Sequence, residues 1–123
     1  MRIGGAVSWR KDHINSEKRI AEFDIPPKAA IAIGIIINEL LTNAFKYAFK
    51  NRSKGAVSIS IDKNENTVTV AIQDNGTGIN AAAIKQKSTG LGLSLVQMLI
   101  DQLKGTHATV NENGTKHIIE FEL

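Results

Sequence analysis

The chain has 123 residues, 42% of them hydrophobic, which suits one domain with room for a real core. Fifteen Lys and Arg face twelve Asp and Glu, a formal charge of +3 scattered along the chain that suits an anionic small ligand and is too diffuse to imply nucleic acid. Without cysteine there is no disulfide or thiolate zinc site, and the three histidines lack ligand spacing, so no metal site built from protein side chains alone is expected.

Residues 1–17 show no sustained periodicity and are expected to be a linker or a truncated upstream segment, with the domain itself over 18–123. The first predicted strand is "KRIAEFDI", with Ile20 and Phe23 as its strongest apolar positions. "IPPKAA" then opens a helix, because Pro27 is tolerated in a first turn and cannot continue a strand. That helix is predicted to run to about Phe49, where "KNRSKG" ends it. Gly34 inside it disfavours helix by about 1 kcal/mol against Ala, so a close backbone approach is expected there. The longest apolar run, around residues 29–37, is too short to span a bilayer.

"AVSISID" and "TVTVAIQ" both alternate and, joined by "KNEN", predict an antiparallel hairpin with one face on the core. A second helix follows over "LGLSLVQMLIDQLK", with Gly105 as its stop. "THATVNE", the turn at Asn113-Gly114 and "TKHIIEFEL" predict a second hairpin. Two helices and about five mostly antiparallel strands imply an α+β fold, a two-layer sandwich with helices on one face of a mixed sheet. The N-terminus carries basic residues without an apolar signal core, so a cytoplasmic protein with no membrane contact by this domain is expected. Asn75 and Asn113 each begin an Asn-Gly-Thr sequon, read here as turns.

Within the first helix, "INELLTNAFKYAF" mixes apolar and polar residues in a particular geometry. At 100° per residue with Glu39 at zero, Asn43 falls at about +40° and Lys46 at about −20°. Leu40, Ile33, Ala44, Ile37, Ala48, Leu41 and Phe45 occupy an arc from about 100° to 240°. The three polar groups thus share a stripe, expected on the face opposite the core. Taken alone, such a stripe is an ordinary solvated helix face with an incidental i,i+4 pair.

"GTGINA", residues 76–81, satisfies a dinucleotide fingerprint formally, but its strand belongs to a hairpin and the acid at the right distance, Asp101, lies in a helical pattern. A Rossmann site is therefore not expected, and a Walker A loop is absent. The remaining glycine motifs are Asp74-Asn75-Gly76-Thr77-Gly78 at a strand end and Gly90-Leu91-Gly92-Leu93 at a helix start. Glycines after Asp74 let backbone approach a flat ligand while the carboxylate accepts from an amine. Free N–H groups at the second helix start suit phosphate.

In that order and spacing, the motifs resemble the ATP-binding catalytic domain of sensor histidine kinases, a branch of the superfamily shared by the gyrase B subunit, heat-shock chaperone and mismatch-repair ATPases. "NELLTNAFKYAF" resembles its N box, "DNGTGI" its first glycine box and "STGLGLSLV" its second. The resemblance covers roughly residues 18–123 and implies the Bergerat-type fold. It implies Asn43 as ligand to Mg2+, Lys46 on phosphate, Tyr47 packed near the nucleotide, and Asp74 accepting from the adenine amine of ATP. It implies Gly76 and Gly78 lining the base pocket, Gly90, Leu91 and Gly92 admitting phosphate, and Thr115 supporting the aspartate. Glu39 stands where many histidine kinases carry Asn and resembles the activating acid of gyrase-like ATPases. Lys46 and Glu39 are thus the candidate catalytic residues.

Departures from the family pattern are equally specific. No phenylalanine box lies between the glycine boxes, and the lid from Asn80 to Thr89 is short. His13, in "KDHINSEK", lacks the acceptor pattern, and His107 and His117 fall in strands as structural residues. The implied function is binding of Mg-ATP and transfer of the γ-phosphate to a histidine on a separate upstream dimerisation and phosphoacceptor domain, with a response regulator as the indirect partner. The alternatives are a serine kinase of the anti-sigma-factor type and a non-catalytic ATP-gated interaction module.

Overall fold

In the computed structural model, which describes residues 1–11, 14–45, 55–76, 91–111 and 113–123, the chain opens with a strand. β1 (Arg2–Lys11) pairs antiparallel with β2 (Ile14–Asp24), so Arg2–Lys11 and Ile14–Glu17, within the stretch expected as a linker, instead belong to the sheet. Ile3, Val7 and Trp9 alternate as a strand requires, and the pattern is masked in sequence by Gly4 and Gly5. These glycines take φ of +153° and +125°, in the region where a side chain is strained. They lie where the register steps: Ile3 pairs with Phe23 but Gly5 with Ile20, leaving one extra residue on β2. The bulge explains how Ile20 and Phe23, three apart, both pack towards the core.

Pro26 has φ −57° and ψ 138°, and α1 (Pro27–Asn43) begins one residue later, as the double proline predicts. No side chain caps this start, so α1 is held by its buried residues rather than by its end. Regular α-helix runs to Asn43 and widens to a π-type turn over Ala44 and Phe45. The expected continuation to about Phe49 lies outside the described residues beyond that point. Gly34 is exposed, and a Cβ there would meet nothing within 4 Å, which corrects the expected close approach. The residue lies on the outer side of the helix, where no backbone of the described residues packs.

β3 (Gly55–Asn64) lies parallel to β2, with α1 as the crossover, and turns at Glu65, φ +56°, into antiparallel β4 (Thr67–Asp74). α2 (Leu91–Gln102) leads to the hairpin of β5 (Thr106–Asn111) and β6 (Thr115–Glu122). The stop of α2 differs from the one expected at Gly105. Lys104 takes the left-handed φ of +54°, while the N–H of Lys104 bonds the Asp101 carbonyl and that of Gly105 the Ile100 carbonyl. Gly105 answers a different need, since a Cβ would sit 2.7 Å from the Glu120 carbonyl oxygen.

Among the described residues six strands form one mixed sheet in the order β1-β2-β3-β4-β6-β5, with only β2 and β3 parallel. Alternating residues Ile59, Ile61, Val68, Val70, Ile72, Ile119 and Phe121 face Ile33, Ile36 and Leu40 of α1 and Val96 and Ile100 of α2. Both helices therefore cover the same face, the two-layer α+β architecture expected from the pattern. A second cluster of Ile14, Ala44 and Val57, with Leu41 and Phe45 against it, seats the end of α1 on the sheet. No helix among the described residues is long and apolar enough to cross a membrane.

Candidate functional site

Val57 is the cross-strand partner of Asp74, and Ala44 packs in its cluster. The last turn of α1, which carries Asn43, is thereby set over the strand pair that ends in Asp74. On α1 the buried residues Ala32, Ile36, Ala29, Leu40, Ile33 and Ala44 lie at about 20° to 140° on the scale that puts Glu39 at zero. Asn43 at about 40° falls within that arc. Glu39 and Asn43 thus border the core instead of opposing it, and both are half-buried. An amphipathic helix with a merely solvated polar face would leave both groups exposed.

Asp74 ends β4 with 4% exposure. Its Oδ1 accepts the N–H of Gly76 at 2.9 Å and the N–H of Thr115 at 3.2 Å. Among the described residues neither bond uses Oδ2. Burial pushes the carboxyl pKa up, and the two backbone N–H groups oppose that shift without cancelling it. Thr115 is 1% exposed, and its hydroxyl donates to Asn111 Oδ1 at 3.2 Å across the hairpin. Of the residues singled out from the sequence, Asp74, Gly76 and Thr115 are joined by direct hydrogen bonds, and Glu39 and Asn43 share one flank of α1. Leu91 and Gly92 open α2. Lys46, Tyr47, Gly78, Gly90 and the lid from Asn80 to Thr89 lie outside the described residues, as does His13.

Four further features of this corner are not legible in the local sequence pattern. Asn75 has its N–H on the Ala56 carbonyl at 3.1 Å and its Oδ1 on the Ala56 N–H at 2.7 Å. Gly114 takes φ +122°, and a Cβ on it would collide with the Asp74 carbonyl oxygen. The Asn-Gly dipeptide signals a turn but not the element that the turn presses on. On the same hairpin, His107 Nε2 and His117 Nδ1 stand 3.0 Å apart, with Thr109 Oγ1 3.5 and 3.4 Å from them. Burial lowers both imidazole pKa values, His117 to about 4 with added repulsion from His107. A cavity of about 590 Å³ beside the corner is walled by Asp74 and Asn75 and by Trp9, Ser16 and Glu17 of the first hairpin.

The histidine kinase-, DNA gyrase B- and HSP90-like ATPase family matches residues 29–123. The blue-light-activated histidine kinase 2 of Erythrobacter litoralis is 31% identical over 101 residues, which are 81% of this chain and 29% of that protein. The histidine kinase domain from the Erythrobacter litoralis EL346 blue-light activated histidine kinase superposes with TM-score 0.83 at 26% identity, over 92% of this chain and 53% of that one. The Acinetobacter baumannii histidine kinase AdeS gives TM-score 0.68 at 25% identity, over 90% of this chain and 55% of that one. The chain thus spans under a third of the curated relative it matches. With the buried Asp74 at the strand end and Asn43 on the adjoining helix, the chain belongs to the histidine kinase-, DNA gyrase B- and HSP90-like ATPase family as a histidine-kinase-like ATPase domain.

Proposed function

We propose that this domain binds Mg-ATP and passes the γ-phosphate to a histidine on an upstream dimerisation and phosphoacceptor domain, which in turn serves a response regulator. The observation that carries the reading is Asp74, a buried carboxylate preset by two backbone N–H groups on one oxygen. A carboxylate held this way accepts from the exocyclic amine of adenine, and Gly76 beside it brings no side chain to the base. Phosphates then extend towards the end of α1 and the start of α2, where Lys46 and the Gly90-Leu91-Gly92 backbone meet them in the family pattern. Tyr47 and Gly78 complete the pocket in the same pattern.

The donor set fits a hard divalent cation. Asn43 offers a neutral side-chain oxygen, and among the described residues no group of three His, Cys, Asp or Glu gathers to hold an ion. A site of this kind suits Mg2+, which keeps waters and phosphate oxygens as most of its ligands. When bound, the ion neutralises charge on the phosphates. Glu39, one turn before Asn43 on the same flank, then orients and deprotonates the attacking imidazole, and Lys46 balances charge on the transferred group. Titrating ATP with and without magnesium into wild type and Asn43→Ala tests the assignment. Magnesium is expected to tighten binding in the wild type and to lose most of that effect in the variant. Equal metal dependence in both refutes it.

A further inference from the structure

We infer that Asn75 is a positioning residue for the Asp74 carboxylate, because its side chain takes the place of a backbone carbonyl in the β3–β4 ladder. The inference rests on the nucleotide reading above and names the residue that holds the base acceptor in place. In the register of this hairpin Val57 faces Asp74, so Ala56 faces Asn75. An antiparallel pair of that kind exchanges two bonds, each residue giving its N–H to the other's carbonyl. One of the two is present, from Asn75 N–H to the Ala56 carbonyl at 3.1 Å. The other is replaced: the Ala56 N–H goes to Asn75 Oδ1 at 2.7 Å.

The replacement lets the main chain leave the sheet while the ladder stays closed. A carbonyl held in the ladder fixes its residue in extended geometry, whereas a side-chain oxygen in its place frees the backbone to turn. The turn brings the N–H of Gly76 back to Asp74 Oδ1 at 2.9 Å, two residues upstream. The same Oδ1 takes the Thr115 N–H from the other side at 3.2 Å, so the carboxylate is fixed by a local and a distant donor. Only a short side chain ending in a planar oxygen reaches back to Ala56 at this distance. Serine is one bond too short, and glutamine places its oxygen one carbon too far.

The test compares affinities for ATP and inosine triphosphate, which differ at the purine 6 position, an amine in one and an oxo group in the other. Their ratio reads the base acceptor and cancels effects on phosphate binding or on the folded fraction. Wild type is expected to prefer ATP. Asn75→Ala and Asn75→Ser are expected to lose about threefold to tenfold of that preference, the scale of one misplaced hydrogen bond. Asn75→Asp, which keeps the acceptor, is expected to hold the ratio within about twofold. Amide exchange at Ala56 should be slow in wild type and Asn75→Asp and fast in the other two. A preference unchanged in folded Asn75→Ala or Asn75→Ser overturns the inference. Asp74→Asn separates the two levels: if it too leaves the ratio untouched, the base-pocket reading fails, and if it alone collapses the ratio, only the role of Asn75 fails.

Discussion

The backbone N–H of Thr115 reaches Asp74 Oδ1 at 3.2 Å, joining residues 41 positions apart. Asp74 therefore owes its geometry to the last hairpin as well as to its own strand. Its carboxyl pKa is raised by burial, so ionising it opposes folding. Stability from this group is present while the carboxyl is protonated and is lost as pH rises through its raised folded pKa. Asp74→Asn keeps an oxygen for both backbone donors and removes the buried charge. Its melting temperature at pH 7 is expected to equal or exceed wild type while ATP affinity falls about tenfold or more. Thermal melts beside nucleotide titration check it, and undiminished affinity in the folded variant would remove Asp74 from the base pocket.

Gly114 and Gly34 make opposite predictions for the same substitution. At Gly114 a Cβ would collide with the Asp74 carbonyl, and φ is +122°, so Gly114→Ala is expected to destabilise by about 2–4 kcal/mol. Gly34 is an exposed helix position with open space around it, and Gly34→Ala is expected to stabilise by about 0.5–1 kcal/mol. Urea unfolding of both variants measures the difference. A neutral Gly114→Ala would mean that the turn does not press on Asp74 in solution.

The His107–His117 pair predicts acid sensitivity. Ring nitrogens 3.0 Å apart with centroids at 5.2 Å lie nearly in line, so one imidazole donates to the other and a fully protonated pair sets two N–H groups against each other. The His117 pKa of about 4 lies below the ordinary 6.5, so the unfolded chain takes up protons first as pH falls. Stability is present above about pH 6.5 and is lost between there and about pH 4, on the order of 2–3 kcal/mol. His117→Asn should flatten that part of the pH–stability curve, read by urea melts across pH 4–7.5. An unchanged slope in the variant would exclude the pair as its source.

Glu39→Gln separates catalysis from helix solvation. The substitution preserves shape on a half-buried flank, so ATP affinity and folding are expected to hold. If Glu39 acts as a general base, the substitution is expected to lower turnover by roughly 10²-fold or more. Single-turnover phosphoryl transfer at saturating Mg-ATP, with the acceptor domain supplied, measures the effect. A rate near wild type would return Glu39 to the role of a solvated neighbour of Asn43.

Features that depend on neighbours along the chain were legible from local pattern. The double proline set the start of α1, and period-two runs marked β3 and β4. The order of helices and strands implied the two-layer fold, and the order of the three motif boxes pointed to the family. Tertiary structure decided what depends on partners remote in sequence. β1 escaped detection because Gly4 and Gly5 interrupt its alternation, and it becomes a strand only by pairing with β2. The face assigned to the Glu39–Asn43 stripe was displaced because periodicity gives relative angles, while burial against the sheet sets the zero. Gly105 and Gly114 are glycine because β6 and Asp74 approach them, contacts that no local pattern carries. The bond from Thr115 to Asp74 and the Asn75 clamp on Ala56 exist only once the hairpins reach their register, since a hydrogen bond needs its partner within about 3 Å.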